Sequence, residues 1–399
     1  MPVVANASPQ RAQRAIVGVT TVKVGAPGNP SVGIVPFTDA IYKSCAEAAE
    51  SKPACQTVGG VGYRYGIGML EVTVGQWVKF LNTVDPTGRD KHDLYDPSQT
   101  PALWPKYGQL DESADTGMGR HYSVGYPGWA DKPYGFANFL RAARFVNSLY
   151  NGQVLSKRAG INDGFKYVTY RVRLSRNTER GMYDLASHKR TGATRAHKRG
   201  FVVPSQDEWI KAAYYDPSGA GTYSYWKYPT NPGVFGNESE VPAPSVLDPV
   251  SGDVTNSSTQ PLATYYNEEK PAPSWCPGGV EASICSSVNP FGIDPTTYAK
   301  LYKGSLGTVG QARTRSPWGT LDQGGNAVEW TDTITPPPSG RNDGRVWRRL
   351  HGGISNSTAY QMWISAVGLQ PQYNKFYDLT YPWLGFRIGV VGDLQVDKP

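Results

Sequence analysis

Apolar residues recur at helical spacing in three places along the chain. Val74, Trp77, Val78 and Leu81 stand at i, i+3, i+4 and i+7 and predict one buried helix face. Thr73 and Gln76 lie at its start with the spacing of a capping box. A second helix is predicted from about Phe136 to Tyr150, with Phe139, Ala143, Val146 and Tyr150 on one stripe and Asn151-Gly152 as its stop. A third starts at Ser205, where Ser205 and Glu208 form another capping box and Trp209, Ala212 and Ala213 face inward. Asp216-Pro217 ends it. The apolar stretch Val17 to Val24 reads as a strand. Beyond 216 the helical period vanishes. Residues 216–316 are rich in Pro, Gly and Ser, and 318–391 read as short turns and aromatic strand pieces.

Composition explains that texture. Gly 45 and Pro 32 in 399 residues point to a large, loop-rich domain with short elements rather than a helical bundle. Hydrophobic residues at 39% supply a core and exclude wholesale disorder. No apolar run approaches the roughly 18 residues of a membrane span. The net charge of +7 is local. Arg171, Arg173, Arg176, Arg180, Lys189, Arg190, Arg195, Lys198 and Arg199 face only Glu179 and Asp184, so this window carries the whole excess. It reads either as a solvated insertion or as a patch for an anionic partner such as a glycan, a surface polymer or an acidic subunit. Tyr183 is its one aromatic, which disfavours nucleic-acid stacking.

Cys45, Cys55, Cys276 and Cys285 form two close pairs without the C-x-x-C spacing of a zinc or redox motif. They read as two local disulfides or as four unrelated thiols, and loop closure favours the local pairing. Bridges imply an oxidising compartment, although residues 1–10 lack the pattern of a signal peptide. The expected location is extracellular, cell-surface or virion-associated.

Several motifs then occur in order. They are Tyr65-Gly66-Ile67-Gly68 leading to Glu71-Val72-Thr73; Thr178-Glu179-Arg180-Gly181-Met182-Tyr183-Asp184-Leu185; Val203-Pro204-Ser205 with Glu208-Trp209 and Ala212-Ala213; Gly325-Asn326-Ala327-Val328-Glu329-Trp330; Gly352-Gly353; and Leu384-Gly385-Phe386-Arg387. In this order they resemble the formylglycine-generating (sulfatase-modifying-factor) family over about 62–391. The resemblance implies an α+β, C-type-lectin-like fold with two to three helices, small twisted antiparallel sheets and much irregular chain. It divides the chain into an N-terminal arm, 1–60, a domain, 61–392, and a tail, 393–399. Within the domain, a basic insertion covers about 157–200 and a Pro/Gly-rich one about 216–316. Trp209 and Trp330 read as core anchors. Gly352-Gly353 reads as a close backbone approach. Arg387 reads as one half of a buried bidentate pair with Glu208 or Glu329.

Catalytic members of the family bind copper(I) through two cysteines that follow the Gly-Gly step. Ser357 and Met362 stand at those positions here. A hard hydroxyl and a lone thioether do not supply thiolate chemistry, so no copper is expected. His92, His121, His188, His197 and His351 include no His-x₃-His pair for an iron site of the family's sulfur-transfer branch. The resemblance also implies calcium at Glu329 with the carbonyls of Gly325 and Ala327 and with Asn326, against a purely hydrogen-bonded Glu329. Asn356, Tyr360, Trp363, Gln370, Tyr373, Asn374 and Tyr377 alternate aromatic rings with amides in 354–383, the segment that forms the family's cleft. The resulting expectation is a non-catalytic recognition or assembly protein that contacts a glycan, a protein or a neighbouring subunit. The alternative is a divergent metal-dependent oxidase.

Overall fold

The local signals at the helix starts become caps. The computed structural model describes residues 14–36, 41–42, 45, 55–96, 100, 109–112, 121–126, 128–187, 192–219, 224–230, 241–247, 253–258, 261–265, 306–337, 344–355, 359–371 and 382–397. Helix α1 (Val74–Val84) is closed by the reciprocal Thr73–Gln76 box. Helix α2 (Phe139–Tyr150) starts at Asn138, whose side chain accepts from the Arg141 N–H. Helix α3 (Gln206–Tyr214) carries the Ser205–Glu208 box.

In chain order the strands are β1 (Ile16–Val24), β2 (Val32–Ile34), β3 (Ile41–Tyr42), β4 (Gln56–Val58), β5 (Tyr65–Gly68), β6 (Leu110–Glu112), β7 (Tyr122–Val124), β8 (Gln153–Asn162), β9 (Phe165–Arg173), β10 (Gly200–Val202), β11 (Ala243–Pro244), β12 (Leu262–Ala263), β13 (Val328–Thr335), β14 (Trp347–His351), β15 (Gly368–Pro371), β16 (Leu384–Gly385) and β17 (Gly389–Val391). The fold class is α+β. A six-stranded antiparallel sheet has the order β10-β17-β5-β1-β9-β8. A four-stranded sheet runs β15-β14-β13-β16, with β13 and β16 parallel.

Two readings of the chain's organisation are corrected here. Strand β1 lies inside the six-stranded sheet, hydrogen-bonded to β5 and to β9 from Ile16↔Arg173 to Val22↔Tyr167. Residues 16–24 are therefore an internal strand and not part of an arm. The β8–β9 hairpin likewise builds the sheet, so residues 157–173 are no insertion. Alternation along β9 shows why: Val168, Tyr170 and Val172 are buried, Arg171 faces out, and Thr169 and Arg173 are half-buried.

Helices α1 and α2 cover the sheet through an aromatic cluster. Trp77 stacks on Tyr134 at 4.2 Å between ring centres and meets Phe145 and Phe386 at 5.9 and 6.2 Å. Helix α3 packs beneath the four-stranded sheet through Trp209, with Ile210, Tyr214, Ile364 and Val367 in one apolar cluster.

Candidate functional site

Several of the ordered sequence motifs meet inside the molecule. Glu329 on β13 and Arg387, in the turn between β16 and β17, are both fully buried. Arg387 Nε donates to Glu329 Oε2 at 2.6 Å and Nη2 donates to Oε1 at 2.5 Å, a bidentate pair. Trp209 Nε1 donates to the same Oε2 at 2.8 Å, which ties α3 to the sheet. The remaining Arg387 donors reach the carbonyls of Gly68, Met69 and Leu321. Of the two carboxylates expected for Arg387, Glu329 is the partner. Glu208 pairs with Arg195, which forks onto both its oxygens at 2.9 and 2.6 Å and onto Asp332 at 2.6 Å. Burial alone would raise the Glu208 carboxyl, but the Arg195 charge and hydrogen bonds outweigh it and hold it below the usual range. Trp330 is buried and donates to the Ala137 carbonyl, as a core anchor does. Gly352 and Gly353 both have positive φ, and Trp209 lies 3.4 Å from where a Gly352 Cβ would stand.

The geometry around Glu329 and Asn326 bears on the calcium expectation. The Glu329 charge is already neutralised by Arg387, and both its oxygens accept hydrogen bonds. The Asn326 side chain is spent on the Gly307 backbone, accepting from its N–H at 2.9 Å and donating to its carbonyl at 3.3 Å. The Glu329 and Asn326 side chains are thus both engaged in hydrogen bonds within a buried turn. Among the described residues no group of three His, Cys, Asp or Glu side chains is placed to hold a metal.

Two further carboxyls stand beside the pair. Glu71 is buried with no hydrogen-bond partner on either oxygen, and burial followed by the Asp322 and Glu329 charges pushes it well above the usual range. Burial raises Asp322 to about 6, against the Gly310 N–H bond and the Arg387 charge. Glu71 also lines a cavity of about 90 Å³ between β1, β5 and α1. That is room for ordered water.

The candidate surface lies at the 3₁₀ turn Ala359–Met362 and the residues after it. Tyr360 is 51% exposed. Its ring meets the half-buried Trp363 edge-on, with centres 6.1 Å apart. The Trp363 indole N–H donates to the Tyr228 hydroxyl at 2.6 Å, and the Lys227 ammonium sits 4.3 Å above the indole. Met362 is fully buried against Tyr228, Ala263 and Tyr265. Tyr214 OH donates to its carbonyl at 3.0 Å, which anchors the turn from below.

No family model matches the chain, and no curated protein matches it. Among solved structures it is similar to Treponema denticola variable protein 1 at 14% identity, covering 98% of this chain and 100% of that one, with a TM-score of 0.45. It is similar to CarF at 14% identity over 95% and 100% of the two chains, TM-score 0.40. It is similar to PvdO from Pseudomonas aeruginosa at 11% identity over 94% of each chain, TM-score 0.37.

Of the seven residues expected on the binding face, Tyr360 and Trp363 are brought together. Gln370 lies on β15 opposite Arg348. Asn356, Tyr373, Asn374 and Tyr377 lie outside the described residues, as does Ser357. Lys227 and Tyr228 were missed by sequence reasoning; their signal was the aromatic run Tyr225-Trp226-Lys227-Tyr228 inside a stretch read as insertion. His351 stacks on Trp209 at 5.2 Å with neither ring nitrogen hydrogen-bonded, and burial pushes it down to about 3, so it is neutral.

Among the described residues the basic window does not form one patch. Arg195 is turned inward on Glu208 and Asp332. Arg173 on β9 donates to Gln153 at 2.8 Å, and Arg176 to the Thr83 carbonyl at 3.0 Å. Lys198 and Arg199 lead into β10, which stands four strand spacings from β9 in the sheet, roughly 19 Å. Arg180 is exposed, and Lys189 and Arg190 lie outside the described residues. Cys45 and Cys55 form a disulfide, whereas Cys276 and Cys285 lie outside the described residues. Among the described residues no helix is long and apolar enough to cross a membrane.

Proposed function

We propose that this chain is a non-catalytic recognition or assembly protein. It would use a C-type-lectin-like scaffold related to the formylglycine-generating family and present the aromatic face around Tyr360 and Trp363 to a ligand or a neighbouring subunit. The observation that carries this reading is the division of labour within one turn. Met362, at the position of a copper-binding cysteine, packs its thioether into an apolar cluster, while Tyr360 two residues earlier is exposed. The other metal-binding position, Ser357, has no thiol. Glu329 and Glu208 of the buried motifs are committed to Arg387 and Arg195. An oxidising, extracellular or surface location is part of the proposal and is supported by the Cys45–Cys55 bridge.

The test has two arms. Protein purified from its source, supplied with copper and a cysteine-containing sulfatase peptide, should leave the peptide unoxidised; oxidation with one bound copper would establish the divergent oxidase instead. Tyr360→Ala and Trp363→Ala should lose the ligand or neighbouring subunit that the native protein binds.

A further inference from the structure

We propose that the Tyr360–Trp363 platform takes a carboxylated sugar ring, with Lys227 reading the charge. The inference rests on the reading of this face as a binding surface and goes further by naming the chemistry that fits it. Three features point the same way.

First, Lys227 is a half-buried ammonium whose neighbour is the Trp363 ring, with no carboxylate paired to it among the described residues. A cation held on an indole face keeps its charge directed at whatever approaches the platform, and an anion there gains from a partly desolvated partner. Second, the rings are arranged as a surface and not a pocket. Tyr360 is half-exposed and edge-on to Trp363, and the indole N–H is already committed to Tyr228. With Lys227 over the indole and the Met362 cluster packed against it, the carbon and π surface left for the C–H face of a sugar is that of the exposed Tyr360 ring. The Tyr360 hydroxyl and the Gln361 amide, 3.4 Å apart, stand at the edge of this surface as hydrogen-bonding groups for ring hydroxyls. Third, the platform is held from beneath. The Ile364 N–H donates to the Lys227 carbonyl at 3.2 Å, and Tyr214 OH to that of Met362. The two segments that supply the groups are thereby fixed to each other before a ligand arrives, which lowers the ordering cost of binding.

The experiment is calorimetric titration of the full chain with trigalacturonate and 3′-sialyllactose. Their neutral counterparts are methyl-esterified trigalacturonate and lactose. At least one acid should bind about tenfold or more tightly than its neutral counterpart, and added salt should weaken it. Lys227→Gln should abolish the preference for the acid while leaving the melting temperature unchanged. Tyr360→Ala should weaken acid and neutral forms alike, and Trp363→Phe, which keeps a ring in the half-buried position, should weaken them less. Equal affinity for acid and neutral forms, or a preference that survives Lys227→Gln, overturns the role of Lys227; a loss in Tyr360→Ala would still uphold the binding face. No binding of any of the four sugars overturns the sugar class. Binding of an acidic peptide that is lost in Tyr360→Ala would put a protein partner in its place. Sugar binding unaffected by Tyr360→Ala and Trp363→Phe overturns both this inference and the binding face.

Discussion

The Glu329–Arg387 frame and the Tyr360–Trp363 turn lie in the same C-terminal third of the chain and spend their polar groups in opposite ways. In the frame every donor of Arg387 is used: two on Glu329, the rest on the carbonyls of Gly68, Met69 and Leu321. At the turn, Lys227 has an aromatic ring where a carboxylate would be, and Tyr360 is half in solvent. Saturated groups hold a fold together; unsaturated ones at the surface are free to bind. The motifs that carry the family resemblance belong to the first kind, which is why they speak to architecture and not to ligand.

The comparison is broken most severely at Arg387. Arg387→Met leaves Glu329 buried without its cation, and removing one partner of a buried pair costs about 3–5 kcal/mol. Urea denaturation should show that loss as a large fall in midpoint, or the variant should accumulate unfolded. The same substitution is expected to disturb binding only through unfolding.

Asp322 should give the next largest effect, and one that depends on pH. Its carboxyl is raised to about 6 when folded, so the native state holds a proton that the unfolded chain releases near 3.8. The stabilising proton is fully present below the unfolded value and is lost as pH rises through about 6. Asp322→Asn carries no charge to bury, and asparagine tolerates the positive φ of 56° at this position. The variant should therefore be more stable than the parent at pH 8, by at most about 3 kcal/mol, with the difference shrinking towards pH 4. Glu71, raised further by burial and by the Asp322 charge, adds to the same slope. Melting temperatures of both proteins from pH 4 to 9 check this; parallel curves would show that Asp322 is ionised and compensated.

A smaller effect belongs to the caps. Ser205→Ala removes the acceptor for the Glu208 N–H at 3.2 Å and should cost about 1 kcal/mol. The backbone N–H of residue 205 still donates to Glu208, at 2.7 Å in the parent, so the loss should stay that of an ordinary cap. A Ser205→Gly variant, which also lacks the hydroxyl but suits the backbone cap geometry, should lose less; equal losses would assign the effect to the missing acceptor alone.

These helix starts were legible because a capping box spans four residues, and both boxes formed where their spacing placed them. The sheet was less legible. Strand β5 pairs with β17 across more than 300 residues, Tyr65↔Val391, and no local period carries such a pairing. Strand β9 alternates as a half-buried strand does, but Arg171 and Arg173 drew attention to charge and hid the buried Val168, Tyr170 and Val172 beside them. The partner of Arg387 was narrowed to two glutamates by residue type; only the fold separates them, because Glu208 faces Arg195. Tyr360 and Trp363 were readable as aromatics next to amides. Lys227 was not, since it approaches from a segment about 130 residues earlier whose composition read as loop.

The smallest effect expected on stability sharpens the comparison most. Tyr360 is half-exposed and its ring touches Trp363 at the edge, so Tyr360→Ala removes little buried surface. Its cost should stay within about 0.5 kcal/mol, the range of ordinary surface changes. Trp363→Ala is different: the indole packs on the Met362 cluster and bonds Tyr228, so its loss should lower the melting temperature clearly. If the turn is a binding surface, the two variants should both lose ligand while only the second loses stability. A Tyr360→Ala variant that is as destabilised as Trp363→Ala would mean that the phenol is part of the core. The contrast between a saturated frame and an unsaturated surface would then fail at the residue where it is drawn most sharply.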